Sequence, residues 1–225
     1  MLERMELLLD SNIINKIKNT KILIVGIGGV GGASFEALVR LGVQYITVID
    51  NDVFNESNLN RQILSNINNI GNSKVKEAVL RAKSINPSIC VDYYEMFLNE
   101  ANFNEIDITK YDYVLDCCDT ITTKYLLIKY CNENNIKVIS SMGTGNRLDP
   151  TKITITDIWK TNNDPLAKAM RKILRDKGIK YKVPVVTSLE LPIKTHQSTV
   201  GSISLVPNVA GFYMASWVFN DIINK

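Results

Sequence analysis

A glycine-rich stretch near the start of the chain has the spacing of a phosphate-binding turn. It reads Gly-Ile-Gly-Gly-Val-Gly-Gly over residues 26–32, after the apolar run 21–25 and before a helical pattern. Glycine permits a tight turn and lets backbone N–H groups approach a phosphate, which the positive end of the following helix attracts. We therefore predict a nucleotide site in which Gly26 makes the turn and Gly28 and Gly29 approach the phosphate.

Two carboxylates follow predicted strands, where nucleotide sites commonly place polar side chains. Asp50 ends the strand 45–49, at roughly the 20-residue spacing from the glycine turn at which an acid binds a ribose hydroxyl. Asp119 ends another apolar run. Each has a structural alternative, because Asp50 and Asp52 can cap a turn and Asp119 with Thr120 can cap a helix.

Two basic side chains have the chemistry to bind phosphate oxygens. Arg61 offers a planar fork for phosphate oxygens, and Lys74, at the start of a predicted helix 73–84, offers a point charge. Fixed cations of this kind stabilise the negative charge that gathers when a reaction takes place at a phosphate. A nicotinamide-dependent oxidoreductase shares the glycine pattern without needing either cation, and a non-catalytic nucleotide sensor is a further alternative.

The order of predicted elements indicates an α/β fold of the Rossmann-like, doubly wound type. Strands and helices alternate as far as about residue 145, which is typical of a mostly parallel sheet covered by helices on both faces. Residues 152–156 alternate polar and apolar like a half-exposed strand, which predicts a C-terminal antiparallel extension. Residues 183–199 have two prolines and no clear period, which predicts a crossover loop. An apolar helix over 206–223 belongs either to the core or to a subunit interface.

Length and composition indicate a globular chain with a full core. At 225 residues and 45% hydrophobic content, we expect one domain over residues 1–225. The charged opening residues Glu3, Arg4 and Glu6 do not resemble a signal peptide, and no apolar run approaches the length of a membrane span. We therefore expect a cytoplasmic protein with no membrane partner.

The cysteines and the histidine argue against two common kinds of site. The four cysteines contain no CxxC pair, so they do not form a zinc pattern, and we interpret them as small buried side chains. Cys117 and Cys118 are adjacent and point to opposite faces if they lie on a strand. The one histidine, His196, lies in a polar stretch that predicts a loop, which leaves little basis for a Ser-His-Asp mechanism.

The positive charge is concentrated in one predicted helix. Residues 164–182 carry seven basic and two acidic side chains, although the net charge of the whole chain is only +3. A predicted helix over 165–177 buries an apolar stripe and turns Arg171, Lys172 and Arg175 away from it. This basic side is either an ordinary solvated face or a surface that follows a nucleic-acid backbone.

Several separated motifs in one order resemble a known family. The stretch from Asp50 to Gln62, the residues around Lys74 and the run Asp-Cys-Cys-Asp over 116–119 are similar to the adenylating family that includes ThiF, MoeB and the ubiquitin-activating enzymes. The resemblance covers nearly the whole chain. Members of that family use ATP to convert a carboxylate into an acyl-adenylate, so it implies ATP as the nucleotide.

The resemblance also implies roles for individual residues. Arg61 and Lys74 would contact the ATP phosphates, Asp119 would hold Mg²⁺, and Asp50 would bind the ribose. Arg4 matches a position from which the family sends an arginine into the ATP site of the neighbouring subunit, which implies a homodimer. The implied nucleotide site is completed by residues next to these positions, namely Gly26, Gly28, Gly29, Asp52, Asn58 and Thr120.

The second half of the chain resembles one branch of the family. ThiF and MoeB usually carry two CxxC pairs, which this chain lacks, whereas residues 143–151, 157–161 and 164–167 are similar to tRNA threonylcarbamoyladenosine dehydratases of the TcdA type. That branch implies a tRNA substrate whose threonylcarbamoyl carboxylate is adenylated before an internal attack closes a ring. A sulfur-transfer protein is a further partner to consider. The alternative is an adenylyltransferase that activates the C-terminal glycine of a ubiquitin-like or sulfur-carrier protein.

Overall fold

A computed structural model describes residues 1–196 and 199–224. In this part of the chain, seven strands form one sheet. The strands are β1 Lys21–Val25, β2 Tyr45–Ile49, β3 Cys90–Tyr94, β4 Tyr113–Asp116, β5 Lys137–Ser141, β6 Ile153–Asp157 and β7 Pro184–Ser188.

The strand order β3-β2-β1-β4-β5-β7-β6 places the change of winding direction between β1 and β4. Every neighbouring pair is parallel except β6 and β7, which are antiparallel. This confirms the predicted Rossmann-like α/β sheet with an antiparallel C-terminal extension. Ligands of such sheets bind outside the carboxyl ends of the strands at this change of direction.

The α-helices of the described residues cover both faces of the sheet. They are α1 Glu3–Glu6, α2 Ser11–Asn19, α3 Gly29–Arg40, α4 Lys74–Ile85, α5 Ile121–Glu133, α6 Pro165–Asp176 and α7 Leu205–Ile223. Helices α1 and α2 were not predicted from the sequence. Asp164 begins α6 as predicted, because its carboxylate accepts a hydrogen bond from the Ala167 amide at 3.0 Å and Pro165 occupies the first helical position.

Two apolar clusters lie on opposite faces of the sheet. Helices α3 and α7 contribute to one cluster, and α5 contributes to the other. Cys117 packs against the first cluster and Cys118 against the second, although both lie beyond the end of β4. The interpretation of all four cysteines as buried is wrong for Cys90, which is exposed on the edge strand β3. Eight of the 19 residues of α7 are buried and join the core, whereas Phe212 and Tyr213 are exposed on it.

The structure differs from the sequence prediction inside the proposed crossover loop. Residues 184–188, which were assigned to that loop, form β7 between β5 and β6. Pro184 stands at the first position of the strand, where a missing N–H costs least, and Val185 and Val186 are buried. Beyond the strand, His196 lies in an exposed bend, and residues 197 and 198 of the predicted loop lie outside the described part.

None of the described helices combines the length and the apolar composition needed to cross a membrane.

Candidate active site

A cleft of about 490 Å³ opens at the carboxyl ends of β1, β2 and β4. Glycine-loop, acidic, polar and basic residues that are distant in sequence meet on its walls. The predicted site residues that line it are Gly26, Gly28, Asp50, Asp52, Asn58, Arg61, Lys74, Asp119 and Thr120.

The glycine loop is shaped by close backbone contacts and by Asp50. Gly26 has a φ of +90°, and a Cβ atom there would lie 2.9 Å from the Cys117 backbone, so no other residue fits without a shift. The Asp50 carboxylate accepts hydrogen bonds from the Ile27 amide at 2.6 Å and from the Asp52 amide at 2.8 Å. Asp50 therefore joins the end of β2 to the loop, and its carboxylate lies on the cleft.

Lys74 supplies a largely buried cation at the first position of α4. Its Nζ atom lies 2.8 Å from Oδ2 of Asp52, and its side chain is 6% exposed while that of Asp52 is 59% exposed. The Lys74 amide also donates to the Asp52 carbonyl at 3.0 Å. A phosphate oxygen in the cleft can share this ammonium with Asp52, because an ammonium has three N–H donors.

Arg61 is half-buried on the same cleft and is carried by a short irregular segment. Its guanidinium donates to the Ser57 carbonyl and, at 3.1 Å, to the amide oxygen of Asn60. The buried Asn58 holds the turn, because its side-chain oxygen accepts from the Asn55 amide and its carbonyl accepts from the Arg61 amide at 3.0 Å. Asn58 therefore supports the segment that presents Arg61.

Asp119 is an exposed carboxylate just beyond β4, and the Thr120 hydroxyl donates to it at 3.4 Å. The described residues contain no group of three or more acidic, cysteine or histidine side chains that could hold a metal ion. A magnesium ion at Asp119 would therefore complete its shell with phosphate oxygens and water, which is the usual arrangement for Mg²⁺. One carboxylate on a cleft that is also lined by Arg61 and Lys74 fits that donor set.

Sequence reasoning missed several residues of the cleft. Met96, Phe97 and Leu98 form an apolar part of its wall. Gln62 lies opposite Gly28, and its Oε1 atom is buried without a partner among the described residues. Gln62 closes the family-like stretch that begins at Asp50 but was not selected as a site residue, and a short apolar run such as 96–98 is not distinctive in sequence.

The sequence model of the ThiF family matches residues 3–224. The chain belongs to the ThiF family.

Two ThiF-family relatives resemble this chain over most of both lengths. The tRNA threonylcarbamoyladenosine dehydratase of Bacillus subtilis is 37% identical, and the match covers 98% of this chain and 93% of the relative. The enzyme of the same name from Haemophilus influenzae is 34% identical, with 93% of this chain and 88% of the relative covered.

Solved structures of a third family member share the fold closely. The E. coli tRNA N6-threonylcarbamoyladenosine dehydratase TcdA in complex with AMP has a TM-score of 0.92 at 33% identity, covering 97% of this chain and 92% of that one. The same enzyme in complex with ATP has a TM-score of 0.91. The recognition of the family from separated sequence motifs is thereby confirmed.

Some predicted site residues of this ThiF-family chain lie away from the cleft. Gly29 does not line it, and a Cβ atom at that position would lie 3.1 Å from Cβ of Pro207, so this glycine allows α7 to pack closely. Arg4 is exposed on α1. The basic residues of α6 form a separate surface.

Arg171 differs from its neighbours on that surface. Its guanidinium donates to the carbonyl and the hydroxyl of Thr161, so it braces the start of the α6 region. Lys168, Lys172 and Arg175 are exposed and recur at the helical spacing that places them on one face.

A buried ion pair lies beneath the cleft. Lys124 and Asp116 are both fully buried, with Nζ 3.2 Å from each carboxylate oxygen, and Nζ also donates to the Ser141 carbonyl at 2.7 Å. The pair connects β4, β5 and α5 just below the residues that lead to Asp119. The sequence analysis did not select Lys124, because only the folded chain brings it to Asp116.

The cleft cysteines are protonated thiols. Burial raises the pKa of Cys117 to about 12, and burial together with the Asp116 carboxylate raises the pKa of Cys118 further. The Cys118 thiol donates to Asp116 at 3.0 Å. Because the thiolate is the reactive form, neither residue is prepared as a nucleophile.

Proposed function

We propose that this chain is an ATP-dependent tRNA threonylcarbamoyladenosine dehydratase that works through an acyl-adenylate. The observation that carries the proposal is the meeting of Arg61, Lys74 and Asp119 with the glycine loop in one cleft. Relatives of the same name, similar over nearly the whole chain, support the choice of substrate.

The first step joins the substrate carboxylate to AMP. A carboxylate oxygen attacks the α-phosphorus of ATP, the bond to the bridging oxygen breaks, and pyrophosphate leaves with that electron pair. Arg61 and Lys74 offset the negative charge of the two approaching anions and of the leaving group. Magnesium at Asp119 would supply further neutralisation at the phosphate oxygens. Asp50 binds the ribose, with Asn58 and Asp52 holding the two cations in place.

The second step closes a ring within the substrate. A nucleophilic atom of the threonylcarbamoyl group attacks the activated acyl carbon, AMP leaves with the former carboxylate oxygen, and one proton is released. The net change in the nucleoside is the loss of one water. No enzyme thioester is needed, which agrees with the raised pKa values of Cys117 and Cys118.

A tRNA substrate gives the basic face of α6 a role. Lys168, Lys172 and Arg175 are exposed, whereas the guanidinium of Arg171 is hydrogen-bonded to Thr161. Cations on one helix face can follow a phosphate backbone, and binding of that kind weakens as salt rises. The predicted set of Arg171, Lys172 and Arg175 is therefore best probed at its exposed members.

The resemblance extends the proposal to the assembly. A homodimer would bring Arg4 of one subunit to the cleft of the other, and the exposed Phe212 and Tyr213 of α7 supply apolar surface for such contact. Each subunit would be one unit over residues 1–225. A tRNA substrate would place the enzyme in the cytoplasm, and a sulfur-transfer protein is its further expected partner.

Pyrophosphate release tests the proposed substrate against the alternative. The purified chain with ATP and Mg²⁺ is given either threonylcarbamoylated tRNA or a carrier protein ending in Gly-Gly. We expect pyrophosphate release with the tRNA and none with the carrier protein. Release with the carrier alone would instead select the adenylyltransferase, and tight NADH binding without ATP binding would select the oxidoreductase.

A further inference from the structure

The segment that carries Arg61 is hydrogen-bonded to residues 201–208. Two asparagine side chains make this attachment, although neither is near the other in sequence. Asn60 reaches from the Arg61 segment to Ser202, and Asn208 reaches from the first turns of α7 back to Arg61.

The side-chain amide of Asn60 bridges the Arg61 guanidinium and the backbone of Ser202. Its Nδ2 atom donates to the Ser202 carbonyl at 2.9 Å, while its Oδ1 atom accepts from Nη1 of Arg61 at 3.1 Å. One planar group therefore links the charged end of Arg61 to Ser202. Asn60 is exposed, so the bridge contributes little to the core.

Asn208 holds the backbone of the same arginine. Its Nδ2 atom donates to the Arg61 carbonyl at 3.2 Å and to the Ser204 carbonyl at 2.6 Å. The position of a Cβ atom on Gly29 would lie 3.4 Å from the Arg61 carbonyl and 3.1 Å from Pro207. The backbone of Arg61 is thus confined between the glycine loop and α7.

We propose that Asn60 and Asn208 are positioning residues for Arg61, through which residues 201–208 orient its guanidinium for the ATP phosphates. An unrestrained arginine side chain loses rotamer freedom when it is fixed, so restraint before binding favours the bound state. The inference rests on the proposed function only in assigning Arg61 to phosphate, and it holds whichever molecule supplies the carboxylate.

ATP affinity of the full chain, measured by isothermal titration calorimetry with ATP and Mg²⁺, tests the inference in a double-mutant design. We expect Asn60→Ala and Asn208→Ala each to raise the Kd for ATP by about three- to tenfold, the loss of one or two hydrogen bonds. In an Arg61→Ala background, neither should raise the Kd further, because the group they orient is gone. Asn220→Ala is the control, since Asn220 is exposed on α7 and bonds to Ser216.

A merely structural role gives a different result. Equal weakening of ATP binding with and without Arg61, or unchanged affinity in both asparagine variants, would overturn the inference. Unfolding temperatures identify a global loss of structure. Asn60→Ala should change the unfolding temperature less than Asn208→Ala, because Asn60 is exposed. If Arg61→Ala itself leaves ATP affinity unchanged, the phosphate role assigned to Arg61 fails, and the inference fails with it. Absence of tRNA dehydration, by contrast, affects only the proposed substrate.

Discussion

Nζ of Lys124 lies 3.2 Å from both carboxylate oxygens of Asp116, and both side chains are fully buried at the carboxyl end of β4. The pair also reaches Ser140 and Ser141 on the neighbouring strand. Burial opposes the charge of Lys124, but the charge and hydrogen bond of Asp116, together with smaller contributions from Cys117 and Cys118, outweigh it, so the pKa of Lys124 is raised. The arrangement fixes the start of the segment that leads to Asp119.

Lys124→Met should lower the free energy of unfolding by about 3–5 kcal/mol, because it leaves the Asp116 carboxylate buried without its partner. Urea denaturation of the two proteins measures the difference. Lys129→Met is the matched control on the same helix, since its pair with Glu133 is exposed and is worth about 0.5 kcal/mol or less. Equal losses in the two variants would contradict the importance of the buried pair.

Lys74→Met should slow adenylation about a hundredfold, because a positioned cation at the phosphates is lost. The rate of pyrophosphate release at saturating tRNA measures it. Lys76→Met is the control, since Lys76 is exposed on the same helix and pairs with Glu95. A similar small effect in both variants would show that Lys74 only pairs with Asp52.

Asp119→Asn should lower the rate of pyrophosphate release by about a hundredfold or more and raise the Mg²⁺ concentration needed for half-maximal rate. A magnesium titration of both proteins separates these effects. Asp176→Asn, at an exposed carboxylate of α6, should change neither quantity. An unchanged magnesium requirement in Asp119→Asn would remove the metal role from this residue.

Charge reversal at Lys172 and Arg175 should weaken tRNA binding by about tenfold at low salt and make binding less dependent on salt concentration. Filter binding at several salt concentrations measures both. Reversal at Lys16 and Lys83, which are exposed on other helices, is the control. Arg171 is a poor test position, because its loss also removes the hydrogen bonds to Thr161.

Iodoacetamide at pH 8 should modify Cys90 and leave Cys117 and Cys118 unmodified in the folded chain. Cys90 is exposed, whereas burial raises the pKa of Cys117 from 9.0 to about 12 and favours its neutral thiol. That shift lowers the thiolate fraction at pH 8 about a thousandfold. Because the pKa of Cys117 is higher in the folded chain than in the unfolded one, its thiol does not reduce the free energy of unfolding below about pH 9. That free energy falls as the pH rises from about 9 toward 12, where only the unfolded chain forms the thiolate.

Peptide mass spectrometry after labelling assigns the modified cysteines, and the unfolded chain should react at all of them. Modification of Cys118 as fast as Cys90 would contradict its protonated state and reopen a thioester mechanism.

Local signals carried much of the fold and the site. The glycine loop, the strand end at Asp50 and the cap at Asp164 depend on neighbouring residues, so they could be predicted from the sequence. The apolar run before Asp119 continues past the strand, because β4 ends at Asp116. The strand Pro184–Ser188 was missed because it is short and because Pro184 and the nearby Pro192 are typical of a loop. Only pairing with β5 and β6 stabilises it.

Hydrogen bonds between residues distant in sequence could not be predicted either, because they form only when the chain is folded. Arg147 is buried and donates to the carbonyls of Ser188 and Asn163, and nothing near it in sequence announces those partners. The links from Asn60 to Ser202 and from Asn208 to Arg61 likewise exist only in the folded chain. Sequence motifs therefore predicted the charged residues that meet in the cleft and left out the residues that hold them.

Mass spectrometry of nucleosides from threonylcarbamoylated tRNA incubated with the chain measures the proposed dehydration itself. We expect threonylcarbamoyladenosine to lose one water when ATP and Mg²⁺ are present, omission of ATP to prevent the loss, and Lys74→Met to slow it strongly while Lys76→Met does not. Threonylcarbamoyladenosine that stays unchanged with a chain that binds ATP would rule out the proposed function.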